Sequence, residues 1–586
     1  MNGYRPPLRA ISIALNSVGL AETLKFPPFE HLSADDVESV LEGFGRFAAE
    51  VIAPTDRIGD AQGAHFDPAT GLVTTPAPIR EAFLQWVANG WSGLAVPAEH
   101  GGGGFPKAVG LAAEEMFASA NMALSLNPML TQGSIHLLSQ WGSDEQQATY
   151  LPRLVTGEWT GTMTLTEPEA GSDLGAVRTR ATPRDDGRWE ITGTKIFVTW
   201  GEHDVADNII HLVLARTPGA KAGTSGISLF VVPRNHVNAD GTLGERNRVR
   251  CTGIEHKLGI HASPTCVLDF DAAVGELVGP EHGGMAAMFT MMNMARLSVG
   301  LEGLAVSQRA YQQALAYAKE RTQGRAAGAA RGVVSPIIEH PDVRRMLLLM
   351  ASGIDAMRLL LYSTAAATDA ARHHPDPQLR EMAAARADLL TPLAKAWSTD
   401  EGVRLTSLAV QVHGGMGFVE ETGIAQRYRD SRIAPIYEGT NGIQAIDLVS
   451  RKILRDQGRA MGNLLSELAA NVRAIEDQDD LSASAAVLTD ALAALGTATD
   501  WLLSVADQPA EWLAGATAYL DLAALSITGG LMARQVLWAR SHLPANEAGA
   551  ITGRFQFFVV ERVTKVRALL EPITAGAGRL SVGYLA

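Results

Sequence analysis

RWEITGTKIFVT, residues 188–199, is the stretch whose reading decides the fold class. It is a short run rich in β-branched and aromatic residues, entered from a Pro-Arg-Asp-Asp-Gly cluster at 183–187, and it reads as a strand. DNIIHLVLART (207–217) and GISLFVVPR (226–234) have the same character, so the segment from about 160 to 283 is a block of strands. The texture on either side is helical. SADDVESVLEGFGRFAAEVI (33–52) opens with Ser33 and two aspartates, which predicts an N-cap with acids in the first turn. Apolar spacing stays helical to about 159, broken by the glycine loop AEHGGGGFP (98–106). MAAMFTMMNMARLSVGLEGLAVSQRAYQQALAYAKER (285–321) is helical with few breakers, and further helices are predicted over 342–372, 378–413 and 440–457. The last stretch, 459–586, is Ala/Leu-rich and helical, with a polar connection DQDDLSASAA at 477–486. Segregated blocks predict an α+β chain, not a strand–helix alternation. The expected organisation is an N-terminal arm (1–33), a helical domain (34–159), a β domain (160–283), a helical bundle (284–458) and a helical extension (459–586).

Composition narrows the function. With 46% hydrophobic and 19% charged residues the chain of 586 residues is an ordinary globular one. A formal net charge of −14 argues against nucleic acid and anionic membranes as partners, and 460–586 is itself acidic, with 8 Lys/Arg against 13 Asp/Glu. The two cysteines, Cys251 and Cys266, form no C-x-x-C pair, which suits a reducing compartment. The N-terminus lacks a signal-peptide pattern, and no segment reaches 18 uninterrupted apolar residues. A soluble cytoplasmic protein is expected.

No phosphate-binding P-loop occurs, GGGGFP is not a dinucleotide fingerprint, and AGSDLG (170–175) lacks the nucleophile elbow of hydrolases. His373–His374 precedes Pro375 with no neighbouring ligand set and reads as solvated surface, so no metal site is expected. Four stretches carry more. MTLTEPEAGSDLG (163–175) ends a strand and turns, offering Thr166, Ser172 and backbone N–H groups to a ring carbonyl or phosphate. KIFVTWGEHD (195–204) places Phe197 and Thr199 two positions apart, on one face of a regular strand, which suits either a flat heterocycle or an ordinary hairpin. Arg296 stands in the apolar helix NMARLSVGLEGLA (293–305) and needs a partner, an anionic ligand or a domain interface. QVHGGMGFVEETG (411–423) is a glycine cluster that reads as a loop or as backbone approaching a ligand. Glu438, in APIYEGTNGIQ (434–444), has no acidic neighbour nearer than Asp430 and Asp447. It is either an acid at the start of a helix capped by Thr440 or Asn441, or a general base in an apolar pocket.

In this order the stretches resemble the acyl-CoA dehydrogenase superfamily of flavoproteins. TEPEAGSD (166–173) resembles its flavin signature, and QVHGGMGFVEETGIAQRYRDSRIAPIYEGTNGIQ (411–444) its second signature, ending in Y-E-G-T. YAKERTQGR (317–325) is similar to the R-x-Q-F-G element without its phenylalanine. The resemblance covers about 35–458. It implies a helical N-terminal domain, a β-barrel-like middle domain and a helical bundle, here with an extra helical C-terminal domain. Glu438 would be the base that removes the pro-R α-proton of an acyl-CoA thioester, as hydride passes from the β-carbon to flavin N5 to leave a trans-2-enoyl-CoA. Met163, Thr166, Ser172, Phe197, Thr199 and Thr440 would contact the FAD. Arg321, Gln323, Gln411, Gly414 and Gly415 belong to the same cofactor set, and the arginine, Gln323 and the glycines would reach the FAD of a neighbouring subunit in a homodimer. Ser172, Arg296, Tyr437 and Gly439 would line the CoA end of the site. Some relatives carry the base on the helix near Arg296; here Asn293, Met294 and Ala295 supply no carboxylate. Gly442 stands where many relatives have a larger residue, so that cofactor contact does not carry over.

GEHDVADNIIHLVLARTPGA (201–220), IEHKLGIHASPTC (254–266) and the helical tail are similar to a bacterial subgroup that includes 3-methylmercaptopropionyl-CoA dehydrogenases and broad-specificity acyl-CoA dehydrogenases. An electron-transferring flavoprotein is the acceptor expected for the electrons, and fatty acid β-oxidation the expected setting. An acyl-CoA oxidase, with oxygen as acceptor, is the alternative. A nucleic-acid-binding flavoprotein of the alkylation-response branch would need a basic tail, which the acidic one contradicts.

Overall fold

The computed structural model describes residues 3–585. The chain forms two compact units that do not follow sequence order: Arg46–Phe105 groups with Ala120–Ala295, while the chain up to Gly45 groups with Pro106–Ser119 and everything from Arg296 on.

The first-named unit holds the strands. Strands β1 (His65–Asp67) and β2 (Leu72–Thr74) make a small hairpin inside a region whose sequence reads as helical throughout. Its turn is built by Asp67, whose carboxylate accepts from the Ala69 amide and the Thr70 hydroxyl, and by Gly71 at φ +75°. The hairpin was legible in principle, because D-P-A-T-G is a turn sequence between two short apolar runs. The main sheet comprises β3 (Trp159–Thr164), β4 (Arg180–Pro183), β5 (Trp189–Thr199), β6 (Asn208–Arg216) and β7 (Ile227–Pro233). After a separate pair, β8 (Asn235–Val237) with β9 (Leu243–Arg246), it takes in β10 (Val249–Ile254) and β11 (Thr265–Val278). The strand order is β10-β11-β5-β4-β6-β3, and β7 pairs with both β11 and β6. That double pairing closes a ring of five strands, the barrel-like feature of this unit. Only β3–β6 and the single β4–β6 pair are parallel.

Strand β6 is buried at every position but its last, so both of its faces are covered. Ile210, Leu212 and Leu214 join Leu130, Leu138 and Leu229 in one core, while Val213 and Ala215 join Phe230, Val232 and Leu268 in another. Helix Met122–Trp141 packs on β3 over the first of these cores.

The other unit is helical. Helices Pro341–His373 and Pro377–His413 are joined by a three-residue link and pack along their length. The part of helix Gly284–Glu320 from Arg296 onward crosses the second of these at glycines. A Cβ on Gly303 would collide with the Ser398 carbonyl, and one on Gly402 would lie 2.7 Å from the Gly303 Cα. The extension, helices Arg459–Glu476, Ser482–Ser504, Pro509–His542 and Ala545–Glu561, packs back on Pro341–His373 and Pro377–His413. Ion pairs Arg562–Glu401 (2.6 Å), Arg554–Asp355 (2.5 Å) and Arg386–Glu467 link it to them. The N-terminal arm carries a helix, Leu8–Ser17, which buries Ile11 and Leu15 and packs on Pro509–His542.

Two readings of the sequence need correction. His373 and His374 are half-buried, not solvated: their rings stand edge-on to Phe29 and Phe26 of the arm, at 5.1 and 5.3 Å between centroids. Counting uninterrupted apolar runs also understates the chain's apolar helices. Pro341–His373, Ser482–Ser504 and Pro509–His542 are long and apolar enough to cross a membrane by length and composition. In the first and third, 89% and 83% of the apolar window is buried inside the protein, which accounts for their apolarity by packing.

Candidate active site

In the helical unit, the Y-E-G-T stretch forms a turn between helices Ile424–Ser431 and Asn441–Asp447. Glu438 has φ +55° and Gly439 φ +85°, two left-handed residues in succession. Glycine adopts that conformation freely, whereas glutamate pays roughly 1–2 kcal/mol in steric strain. Surrounding bonds hold the turn against it. Thr440 caps the following helix by accepting from the Ile443 amide at 3.3 Å, and the Asn441 amide donates to the Pro435 carbonyl at 3.0 Å. Gln444 Nε2 donates to the carbonyls of Glu438 and Gly439, at 3.3 and 3.4 Å. From helix Pro377–His413 comes the fully buried Lys395, whose Nζ donates to the Gly439 carbonyl and to Asn441 Oδ1, both at 2.8 Å. Asn441 in turn donates to the Ala396 carbonyl at 3.0 Å.

Charged groups gather around this turn. Arg296 is buried, its Nη1 lies 3.5 Å from Asp447 Oδ2, and its Nη2 lies 3.9 Å from where a Cβ on Gly439 would stand. Arg296 thus has a carboxylate partner and also faces the Glu438 turn. Glu302, buried on helix Gly284–Glu320, accepts a hydrogen bond from the Tyr437 hydroxyl at Oε2. Glu438 keeps some accessible surface, yet its carboxyl is deep enough that burial raises its pKa to about 7, with Arg296 and Lys395 pulling the other way. Burial lowers Lys395 to about 8 against the attraction of Glu438 and Glu302. It raises Glu302 to about 8, opposed by the Tyr437 bond and Lys395. A carboxylate balanced near neutrality beside two cations is suited to accept a proton from a weak carbon acid.

In the sheet unit, Met163 is buried on β3 and Thr166 is half-buried just beyond it. The loop that follows is locked by Glu167, whose carboxylate accepts from the Arg178 amide (2.7 Å), the Thr179 amide (3.0 Å) and hydroxyl (2.6 Å), and Lys195 Nζ (2.8 Å). Lys195, fully buried, also donates to the Leu165 carbonyl at 2.9 Å. Burial pushes the Glu167 carboxyl up, but Lys195 and the other donors outweigh it and the pKa is lowered. Ser172 lies exposed on this loop, and the Ile196 amide donates to the Thr166 carbonyl at 2.9 Å, tying loop to strand β5.

Strand β5 is not regular there. Its register against β11 jumps between Cys266 and Leu268, a bulge, and Phe197 takes φ +57°. The even alternation assumed from the sequence is therefore interrupted. Phe197 and the half-buried Thr199 still flank the buried Val198, but the bulge, not the pleat, leaves Phe197 58% exposed. Trp200, φ +53°, is buried instead and its Nε1 donates to the Ala123 carbonyl at 3.3 Å. An exposed aromatic ring held in a strained backbone, beside two threonines and a locked loop, fits a planar heterocycle.

The remaining predicted residues belong to the helical unit. Arg321, Gln323, Gln411, Gly414 and Gly415 are all exposed. The rings of Tyr317 and His413 stack at 4.4 Å, which brings the segment leading to Arg321 beside the end of helix Pro377–His413, where Gly414 turns at φ +60°. Lys395, Glu302 and Gln444 were missed by the sequence reading. The signal for the first two was the one that drew attention to Arg296, a lone charge in an apolar helix: LLTPLAKAW (389–397) and LSVGLEGLA (297–305).

Protein-family models match nearly the whole chain. They are the acyl-CoA dehydrogenase N-terminal domain (34–158), middle domain (162–273) and C-terminal domain (282–454), and the acetyl-CoA dehydrogenase C-terminal-like domain (465–581). The chain is 46% identical over 549 residues to a 3-methylmercaptopropionyl-CoA dehydrogenase of Ruegeria pomeroyi, covering 92% of each chain. It is 36% identical to a butyryl-CoA dehydrogenase of Syntrophomonas wolfei, over 93% of this chain and 92% of that one. In fold it is similar to the crystal structure of Caenorhabditis elegans ACDH-11 in complex with C11-CoA, with a TM-score of 0.80 at 19% identity over 99% of this chain and 95% of the other. With matches of this length and identity beside the Y-E-G-T turn and its cations, the chain is an enzyme that belongs to the acyl-CoA dehydrogenase family.

Proposed function

We propose that the protein dehydrogenates the α,β-bond of an acyl-CoA thioester to a trans-2-enoyl-CoA, with Glu438 as the base that takes the α-proton. The observation that carries this is the Y-E-G-T turn itself: a glutamate in strained left-handed backbone, desolvated to a pKa of about 7, with Arg296 and Lys395 beside it. Met163, Thr166, Ser172, Phe197, Thr199, Arg321, Gln323, Gln411, Gly414, Gly415 and Thr440 would hold FAD, and Ser172, Arg296, Tyr437 and Gly439 the substrate. FAD, when bound, supplies the acceptor for the hydride that leaves the β-carbon. Glu438 meanwhile removes the α-proton; once protonated it is neutral, and Arg296 and Lys395 are left to offset the negative charge that develops on the thioester. An electron-transferring flavoprotein as onward acceptor, a homodimer, a cytoplasmic location and a place in β-oxidation complete the reading. The substrates that name its relatives, 3-methylmercaptopropionyl-CoA and butyryl-CoA, are both short and unbranched, which supports a short straight acyl chain here.

An anaerobic titration of the yellow holoenzyme with butyryl-, 3-(methylthio)propionyl-, octanoyl- and isobutyryl-CoA tests this reading. Bleaching by the first two, with a product two hydrogens lighter by mass spectrometry, is expected. A protein bleached by none of the four would overturn it, and stoichiometric peroxide in air would assign it as an oxidase.

The pH dependence has a definite sign. Glu438 works only when deprotonated, and its pKa is raised from 4.5 to about 7. kcat/KM is therefore expected to fall about tenfold per pH unit below about 7 and to level off above it. A profile that stays flat down to about pH 5.5 would show an ordinary, solvated carboxylate instead.

A further inference from the structure

Glu302 has no place in the chemistry above, yet its position is costly. It is 2% exposed, in the middle of an apolar helix segment. Its Oε2 accepts from Tyr437, while Oε1 has no hydrogen-bond partner among the described residues. The titratable groups that face it are Tyr437 and Glu438 from the turn and Lys395 from helix Pro377–His413. The Lys395 Nζ hydrogen bonds go elsewhere, to Gly439 and Asn441. A buried carboxyl with one donor is disfavoured, and a leucine or methionine would cost the fold less. The one bond it makes is to the residue immediately before the base.

We propose that Glu302 is a positioning residue for Glu438, holding the left-handed turn through the Tyr437 hydroxyl. The inference rests on the reading of Glu438 as the base. The turn is clamped from two sides. Lys395 and Gln444 grip the Gly439 carbonyl after Glu438, and Glu302 grips the Tyr437 side chain before it. Glu302 is well placed to resist movement, because Gly303 next to it and Gly300 half a turn back are jammed against the Ser398 and Ala394 carbonyls. With its backbone held on both flanks, Glu438 retains only the rotations of its own side chain, which narrows the range of positions from which its carboxylate can meet the α-carbon. Burial pushes the Glu302 carboxyl up and favours its neutral form, which limits the negative charge the clamp sets beside the base.

The test separates aiming from folding and from binding. Acetyl-CoA has α-hydrogens and no β-carbon, so its deuterium exchange in heavy water reports proton removal with no hydride transfer. Glu302→Met and Tyr437→Phe are each expected to slow this exchange about 10–100-fold, the scale of a small misplacement of a reacting group, and in Glu302→Met, which removes no substrate-lining group, acetyl-CoA affinity should change less than about threefold. The double variant should be no slower than either single one, because both remove the same tether. Glu302→Gln, which offers Tyr437 an acceptor again, should recover most of the rate and keep the wild-type pH midpoint. Wild-type exchange in the Met and Phe variants, or losses confined to affinity, would overturn the proposal. Glu438→Gln in the same assay stands apart: undiminished exchange there would overturn the base assignment itself, whatever Glu302 does.

Discussion

Glu438→Gln is expected to slow substrate-dependent flavin bleaching by about 10²–10⁴-fold, or roughly 3–5.5 kcal/mol in the barrier. Glutamine has nearly the same shape but cannot accept a proton from carbon. The turn should survive, because the bonds that hold it run through Thr440, Gln444, Lys395 and Asn441 and none of them uses the Glu438 carboxylate. The fold should lose nothing, since a carboxyl raised to about 7 by burial is a charge the interior disfavours. Rapid-mixing measurements at saturating acyl-CoA, with an affinity measured separately, check both halves. A loss of less than about tenfold at unchanged affinity would mean that another group removes the proton.

Glu115→Ala is expected to give the largest loss of stability, about 3–5 kcal/mol. Within the helical unit, Glu115 accepts from Arg358 Nε at 3.1 Å and Nη2 at 2.7 Å, and from the Tyr362 hydroxyl at 2.7 Å. Arg358 Nη2 also donates to Gln308 at 3.0 Å. Neither charged side chain is more than 2% exposed. Burial works against the guanidinium charge, but Glu115 outweighs it and the pKa is raised. Removing Glu115 strands that charge, because the other carboxylate near it, Asp355, is 3.7 Å away and already engaged by Arg554. Guanidinium unfolding of the single variant, of Arg358→Met and of the double variant Glu115→Leu/Arg358→Met would measure it. The double variant should recover most of the loss, since an apolar pair has no charge to desolvate. A single variant within about 1 kcal/mol of wild type would show the network to be energetically idle.

Much of the fold was legible because its signals are local. The strands at 188–199, 207–217 and 226–234 coincide closely with β5, β6 and β7, and Ser33 with Asp36 forms the predicted cap at the start of helix Ala34–Phe47. What could not be read depends on partners far along the chain. The ring closes because β7 pairs with β11 as well as β6, and no local pattern encodes a second partner. The grouping of Pro106–Ser119 with the later helices rests on bonds such as Arg358 to Glu115, 243 residues apart. The same limit applies at the site. Glu438 stands out through the Y-E-G-T motif, but its clamps come from 44 residues away at Lys395, acting on Gly439, and from 135 residues away at Glu302, acting on Tyr437. The bulge that turns Phe197 outward was hidden too, since the continuous apolar run Ile196, Phe197, Val198 reads as plain strand and marks no break in register.

The Gly303–Gly402 crossing has a consequence for how this enzyme can change. Two helices whose backbones touch at glycines share a single registration mark. Sliding one past the other by a helical turn, about 5.4 Å, would set a side chain where only hydrogen fits. Arg296 and Glu302 ride on one of these helices and Lys395 on the other, so the spacing between those three groups is indexed to the mark. Variation that leaves both glycines in place can alter what fills the substrate pocket while the charges around Glu438 keep their alignment. A substitution at either glycine would instead detune the chemistry for every substrate at once.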